Sequence, residues 1–255
     1  MFVGKFGLSA LMAAVASALL LVGCGGGGGD STPAIVAVAA EGVYGGTLTG
    51  SRSSAFNLLV LENGEAWSIY GTQSATVFGV AGFVQGSGSS SNGSYSSANA
   101  KDFGFSPAVA RSINATYNAT AKTISGTTGS VTFTGGPIAG TLYNYDTAAS
   151  LSSVVGSWGT TSLTGESVAL TVTATGAFTA TSGLGCKFSG TVTPRPSGKN
   201  VYNVAITFGA SPCALAGQSA NGIALVYPLA SGRSQLLVAA VDSTRTYGAA
   251  VFGTR

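Results

Sequence analysis

From residue 41 onward the chain is written in short runs that alternate apolar and polar residues. Phe56, Leu58 and Val60 share one face of an extended segment, Glu62-Asn63-Gly64-Glu65 turns, and residues 66–70 return. Successive side chains of a strand point to opposite faces, so a period of two marks a strand with one buried face. Asn-Gly between two such runs predicts a hairpin of type I′, in which both central residues need φ > 0. Val168, Leu170 and Val172 repeat the alternation, and Ala174-Thr175-Gly176 turns into residues 177–181. Residues 223–227, 235–241 and 247–252 read as three further consecutive strands, and turn residues recur roughly every 8–12 positions. After residue 40 no window carries the 3.6-residue stripe of an amphipathic helix. The expected fold is all-β and antiparallel, built as two similar barrel-like or sandwich-like domains.

Two domains follow from a match between the hairpins. At an offset of 112 residues, Phe56, Leu58, Val60 and Gly64 meet Val168, Leu170, Val172 and Gly176, and a two-residue gap aligns Tyr44 with Trp158. The pattern predicts a duplicated β unit, with domains at 41–147 and 148–255 and a short linker near 147–152. Residues 86–97, rich in Gly, Ser and Asn, read as a surface loop.

The N-terminus has a different grammar. One basic residue, Lys5, precedes an almost unbroken apolar stretch over residues 6–22, which ends in Leu21-Val22-Gly23-Cys24 and five glycines. This resembles the leader and lipobox of bacterial lipoproteins. The resemblance implies a signal peptide at 1–23 and cleavage before Cys24, whose thiol and new amine carry acyl chains, palmitate among them. Multiple chains hold a protein stably on a bilayer where one chain is marginal. Residues 24–40 would then be the lipidated cysteine and a flexible glycine-rich linker. Gly25 stands where an Asp would resemble an inner-membrane retention signal. The resemblance therefore implies a cell-envelope protein, exported to the outer membrane and partnered with that membrane through Cys24.

Charge and chemistry narrow the function. Only 7% of residues are charged, with 11 Lys and Arg against 8 Asp and Glu, so the chain lacks the clustered basic residues that bind nucleic acid. Cys186 and Cys213 form an even pair beyond the anchor, and in an oxidising compartment they are expected to form a disulfide. The sequence contains no histidine, which removes Ser-His-Asp triads, Cys-His pairs and histidine metal sites together. Glu62 and Glu65, the one close carboxylate pair, flank a turn and read as solvated tip charges rather than an acid and a nucleophile. The chain is expected to be non-catalytic, with no cofactor, no metal site and no catalytic residue.

Gly156-Ser157-Trp158 resembles the G-x-W that opens lipocalin and avidin-type barrels, and the hairpin over residues 166–180 resembles the opening pair of avidin. In those families the tryptophan closes one end of an eight-stranded barrel beside a packing arginine, a role open here to Arg245 or Arg255. In the first half the equivalent is Gly42-Val43-Tyr44, which departs from that pattern. Two functions fit: a protein-interaction or structural module of the envelope, with an envelope protein as partner, or a binder of a small apolar ligand. A barrel interior with an apolar cavity of at least about 300 Å³ favours the second, and a barrel packed solid favours the first.

Overall fold

The structure, a computed structural model, describes residues 39–74, 78–139, 141–229 and 231–255. The expected signal peptide, lipidated Cys24 and the glycine-rich segment of the linker fall outside the described residues. Among those residues no helix is long and apolar enough to cross a membrane. The fold is all-β, with two antiparallel barrels of eight strands each.

The first barrel uses β1 (Gly42–Thr49), β2 (Ala55–Val60), β3 (Glu65–Gln73), β4 (Phe78–Ser87), β6 (Ser94–Asp102), β7 (Val109–Asn118), β8 (Thr123–Thr128) and β9 (Val131–Gly136). Each strand pairs with the next, β9 returns to β1, and a short β4–β6 pairing at Val84↔Asp102 and Gln85↔Lys101 closes the ring. The three-residue β5 (Ser89–Ser91) hangs from β6 outside the ring. The interior is filled largely by aromatic side chains. Tyr44, Phe56, Tyr95, Tyr117 and Phe133 are buried together, and the Phe56 and Phe133 rings meet edge to face at 5.5 Å.

The second barrel is a simple meander of β10 (Gly156–Ser162), β11 (Ser167–Val172), β12 (Ala177–Ser182), β13 (Lys187–Pro194), β14 (Tyr202–Phe208), β15 (Ser219–Pro228), β16 (Ser234–Asp242) and β17 (Gly248–Thr254), closed by β10–β17 pairing. Its strands show the alternation the sequence predicts. Val168, Leu170 and Val172 of β11 face inward while the residues between them are exposed.

The aligned hairpins occupy equivalent places. Tyr44 pairs with Leu58 across β1 and β2, and Trp158 pairs with Leu170 across β10 and β11. Gly64 and Gly176 both hold φ near +80°, at +80° and +82°. A Cβ on either would stand 2.2 Å from a backbone carbonyl, that of Gly88 or of Val192, which only glycine avoids.

The turn before β3 differs from the expected type. Only Gly64 has positive φ, and its N–H donates to the Leu61 carbonyl at 2.9 Å, leaving one residue more in the loop than a type I′ turn allows. The type I′ signature falls instead at Asn92-Gly93, with φ of 48° and 78°, inside the stretch read as a surface loop. That stretch is in fact the end of β4, then β5 and the start of β6. Ser87, Ser89, Ser91, Ser94 and Ser96 occupy outward strand positions and give the stretch the composition of a loop, while Tyr95 and Ser97 turn inward and are buried.

A third apolar cluster joins the barrels. Leu59, Trp67 and Phe83 on the outside of the first pack with Ile223, Leu225, Tyr227 and Leu237 on the outside of the second. Strand β15 is therefore buried on both faces from Ile223 to Tyr227, and Ile223, Leu225 and Val226 each contribute about 1.5–3 kcal/mol on full burial. The segment between β9 and β10 lies against this seam: Tyr145 is buried, Tyr143 packs on Tyr227 at 4.7 Å, and a 3-10 turn (Leu151–Ser153) leads into β10.

Charged groups near the seam are paired rather than free. Glu62, read as a solvated tip charge, accepts from the Arg195 guanidinium at 2.7 Å, and Glu65 accepts from Gln85 Nε2 at 2.9 Å. Lys199 reaches both Asp146 at 2.9 Å and Glu41 at 3.4 Å. The Arg195 and Lys199 contacts tie the β13–β14 connection to the first half of the chain, across 133 and 158 residues of sequence.

Candidate ligand cavity

One end of the second barrel is sealed. Trp158 is 1% exposed, its indole N–H donates to the Val154 carbonyl at 2.7 Å, and the guanidinium of Arg255 lies over the ring at 4.0 Å. Arg255 also donates to the Ser153 carbonyl at 2.9 Å and to that of Val155, which clamps the 3-10 turn across the barrel end. The arginine that packs on Trp158 is thus Arg255. Arg245 faces the first barrel, where it donates to Gln85 and Asn99.

Above this plug the barrel is hollow. A cavity of about 460 Å³ runs from Val154, Val172, Phe178 and Val192 near the sealed end to Leu163, Leu184 and Leu215 at the other. Its wall is built of inward strand residues, among them Val168, Leu170, Val204, Ile206, Leu236 and Val238. The space exists because many of these positions carry Val or Ala where the first barrel carries Tyr and Phe. Ala224 and Ala249 stand on the wall of the second, while Tyr95, Tyr117 and Phe133 project into the first.

The open end is formed by the loops at 163–166, 183–186, 209–218 and 243–247. Cys186 and Cys213 are joined by a disulfide with a Cα–Cα distance of 4.6 Å. The bridge fastens the longest of these loops, 209–218, to the barrel rim. Cys213 and Leu215 of that loop are buried, and Leu215 lines the cavity. Leu184, by contrast, is 79% exposed on the rim. A large apolar side chain left in water beside an apolar cavity marks the entrance.

Polar groups are few and gather at that entrance. Ser162, Thr164, Glu166 and Ser182 line it, and among the described residues no Lys or Arg lines the cavity. Hydrogen bonds from the Ser182 hydroxyl and from the Leu184 N–H, at 2.6 Å, hold the Glu166 carboxyl below its ordinary range, so it is ionised at neutral pH. The buried hydroxyl of Thr160 is satisfied by the Val168 carbonyl at 2.9 Å and offers nothing to a ligand.

Two further carboxylates, Asp102 and Asp242, are structural. Asp102 accepts from the Tyr70 hydroxyl at 2.7 Å and faces Arg111 at 3.6 Å. Asp242 caps the β16–β17 turn, taking hydrogen bonds from the N–H groups of Thr244, Thr246 and Tyr247. Among the described residues no group of three or more metal-binding side chains comes together. The cavity itself had no sequence signal beyond the alternation of the strands, because an inward Val or Ala reads the same in a filled barrel and in a hollow one.

No family model matches the chain, and no curated protein is significantly similar to it. Among solved structures, a crystal structure of a protein of unknown function from the DUF3598 family of Nostoc punctiforme PCC 73102 is similar to it, at 10% identity and a TM-score of 0.25. That similarity covers 84% of this chain and 93% of the other.

Proposed function

We propose that the protein is a non-catalytic binder of a small apolar ligand, tethered in the bacterial cell envelope through acyl chains on Cys24. The observation that carries the binding reading is the cavity of about 460 Å³ in the second barrel, walled by aliphatic side chains and open at one end. Ligand sites are concave, mostly apolar and about 300–1,000 Å³ in volume, with a few polar groups to orient the ligand. A purely structural or interaction module gains nothing from such a space, since unfilled volume costs stability in proportion to its size. The tether rests on the lipobox resemblance of residues 21–24.

The binding reading is tested with N-phenyl-1-naphthylamine, a neutral apolar dye that brightens on leaving water. The expected result is saturable binding, one dye per chain, lost in an Ala224→Phe variant that fills the cavity yet keeps a cooperative melt. Absence of saturable binding, or unchanged binding in the folded Ala224→Phe variant, overturns it. The tether is tested separately: Cys24→Ala should abolish acyl labelling and release the protein from membranes, and unchanged membrane retention sinks it.

A further inference from the structure

We infer that the cavity selects a single-chain hydrocarbon ligand whose head group is neutral or cationic, and that Glu166 at the entrance turns away ligands with a carboxylate head. The inference rests on the binding reading above and narrows its ligand class.

The shape and chemistry of the barrel fix where each part of a ligand goes. The sealed end offers Val154, Val172, Phe178 and Val192, with no unpaired polar group for a head to use, so the tail enters first. The head then comes to rest at the rim, where the side chains lining the entrance are Ser162, Thr164, Glu166 and Ser182. A cavity that took up carboxylate heads would need a Lys, an Arg or a cluster of free N–H donors at this level. The cavity lining holds neither cation. The Leu184 N–H is spent on Glu166, and the Cys186 N–H on the Ser182 hydroxyl at 3.0 Å.

Glu166 is held in place by the loop it serves. Its carboxylate accepts from the Leu184 N–H and the Ser182 hydroxyl, and its negative charge still faces whatever sits in the mouth. A unit charge about 4 Å from a like charge is disfavoured about fivefold even at the dielectric of bulk water, and an opposite charge is favoured by as much. An alcohol or amide head meets no such penalty and can donate to the carboxylate. The hydroxyls of Ser162 and Thr164 bond one another at 2.8 Å, and between them they retain one hydrogen for an acceptor on the head.

The experiment displaces bound N-phenyl-1-naphthylamine with dodecanol, dodecylamine and dodecanoate, below their micellar concentrations, at pH 8 and low salt. The same series is run on Glu166→Gln. Glutamine keeps an oxygen for the Leu184 N–H, so the loop is retained, and an unchanged melting temperature checks this. Apolarity alone ranks the alcohol above both ions, so the readout is the amine-to-carboxylate ratio. In the wild type the amine should displace dye at a concentration at least about fivefold below that of dodecanoate, and in Glu166→Gln the ratio should fall to within about twofold. Raising the salt to about 1 M should shrink the wild-type ratio, because the Debye length drops to about 3 Å. Dodecanoate displacing the dye as well as the amine in the wild type, or a ratio unmoved by Glu166→Gln, overturns the inference while leaving the binding reading intact. A protein that takes up no dye fails the binding reading, and the head-group inference falls with it.

Discussion

Tyr44 and Trp158 hold the same place in the two barrels. Each is fully buried, each sits across the strand pair from a leucine, and each donates its one polar hydrogen to the carbonyl four residues earlier, Tyr44 to Ala40 at 2.9 Å and Trp158 to Val154 at 2.7 Å. The two plugs are chemically different and mechanically alike. Burial pushes the Tyr44 hydroxyl up to about 12, so it remains a donor across the physiological range.

The two positions should differ in cost according to what is removed. Tyr44→Phe deletes one hydroxyl and leaves the Ala40 carbonyl unpaired, and about 1 kcal/mol of stability should be lost. Trp158→Ala empties the barrel end and frees Arg255, and about 3–5 kcal/mol should be lost. Urea unfolding of both variants checks the order, and an equal cost would show that the plugs are not equivalent.

Closing the chain between Cys186 and Cys213, 27 residues apart, should stabilise the fold by about 3–4 kcal/mol on the chain-entropy account. The double variant Cys186→Ser, Cys213→Ser should therefore melt earlier. Since the bridge fastens loop 209–218 at the cavity mouth, it should also exchange dye faster in stopped flow. A lower melting point with unchanged exchange would confine the bridge to a role in stability.

The turn glycines make a sharp test of the repeated geometry. Gly176→Ala forces a side chain onto positive φ and against the Val192 carbonyl, and about 1–3 kcal/mol should be lost. Gly64→Ala meets the Gly88 carbonyl in the same way and should cost a similar amount. Gly165→Ala, with positive φ but open space around its Cβ, should cost less than either.

Acid should weaken the fold through Glu166 at the cavity mouth and three other carboxyls. The Lys199 hydrogen bond holds Asp146 below the usual carboxylate range. Burial pushes Glu62 and Asp242 up, but hydrogen bonds from Arg195 to the first and from Thr244, Tyr247 and Thr246 to the second outweigh it and hold both down. A depressed folded pKa contributes stability above the ordinary value, about 4, and loses it as the pH falls through the folded value. Unfolding free energy should be nearly flat from pH 7 to about 5 and decline below about 4. Asp242→Asn should flatten that decline more than Asp146→Asn, because Asp146 is itself more than half exposed and its ion pair is screened by solvent. An identical acid limb in Asp242→Asn would remove Asp242 from the account.

Cutting the chain near Ser150 uncovers Trp67 and Phe83 on one half and Leu225, Tyr227 and Leu237 on the other. Each half should self-associate when expressed alone, and the two should form a one-to-one complex when expressed together. Size-exclusion chromatography distinguishes this from two independent monomers, which would mean that the seam contributes little.

Much of this architecture is written locally. The period-two runs determine strands at Phe56–Val60 and Val168–Val172, the turn glycines determine where they reverse, and an even cysteine pair determines the bridge. The offset that aligned Tyr44 with Trp158 also found two residues with one structural job. The proposed tether rests on sequence alone, on the resemblance of residues 21–24 to a lipobox. Tertiary structure alone decided the rest. Leu59 and Trp67 lie on the faces that alternation assigns to solvent, and they are buried because β15 and β16 arrive from more than 150 residues away. Glu62 became a partner of Arg195 for the same reason. The cavity is the clearest case: whether a barrel is hollow depends on the summed volume of side chains from eight strands and on what seals its ends. A local pattern says which way a valine points, and only closure of the barrel determines whether anything meets it there.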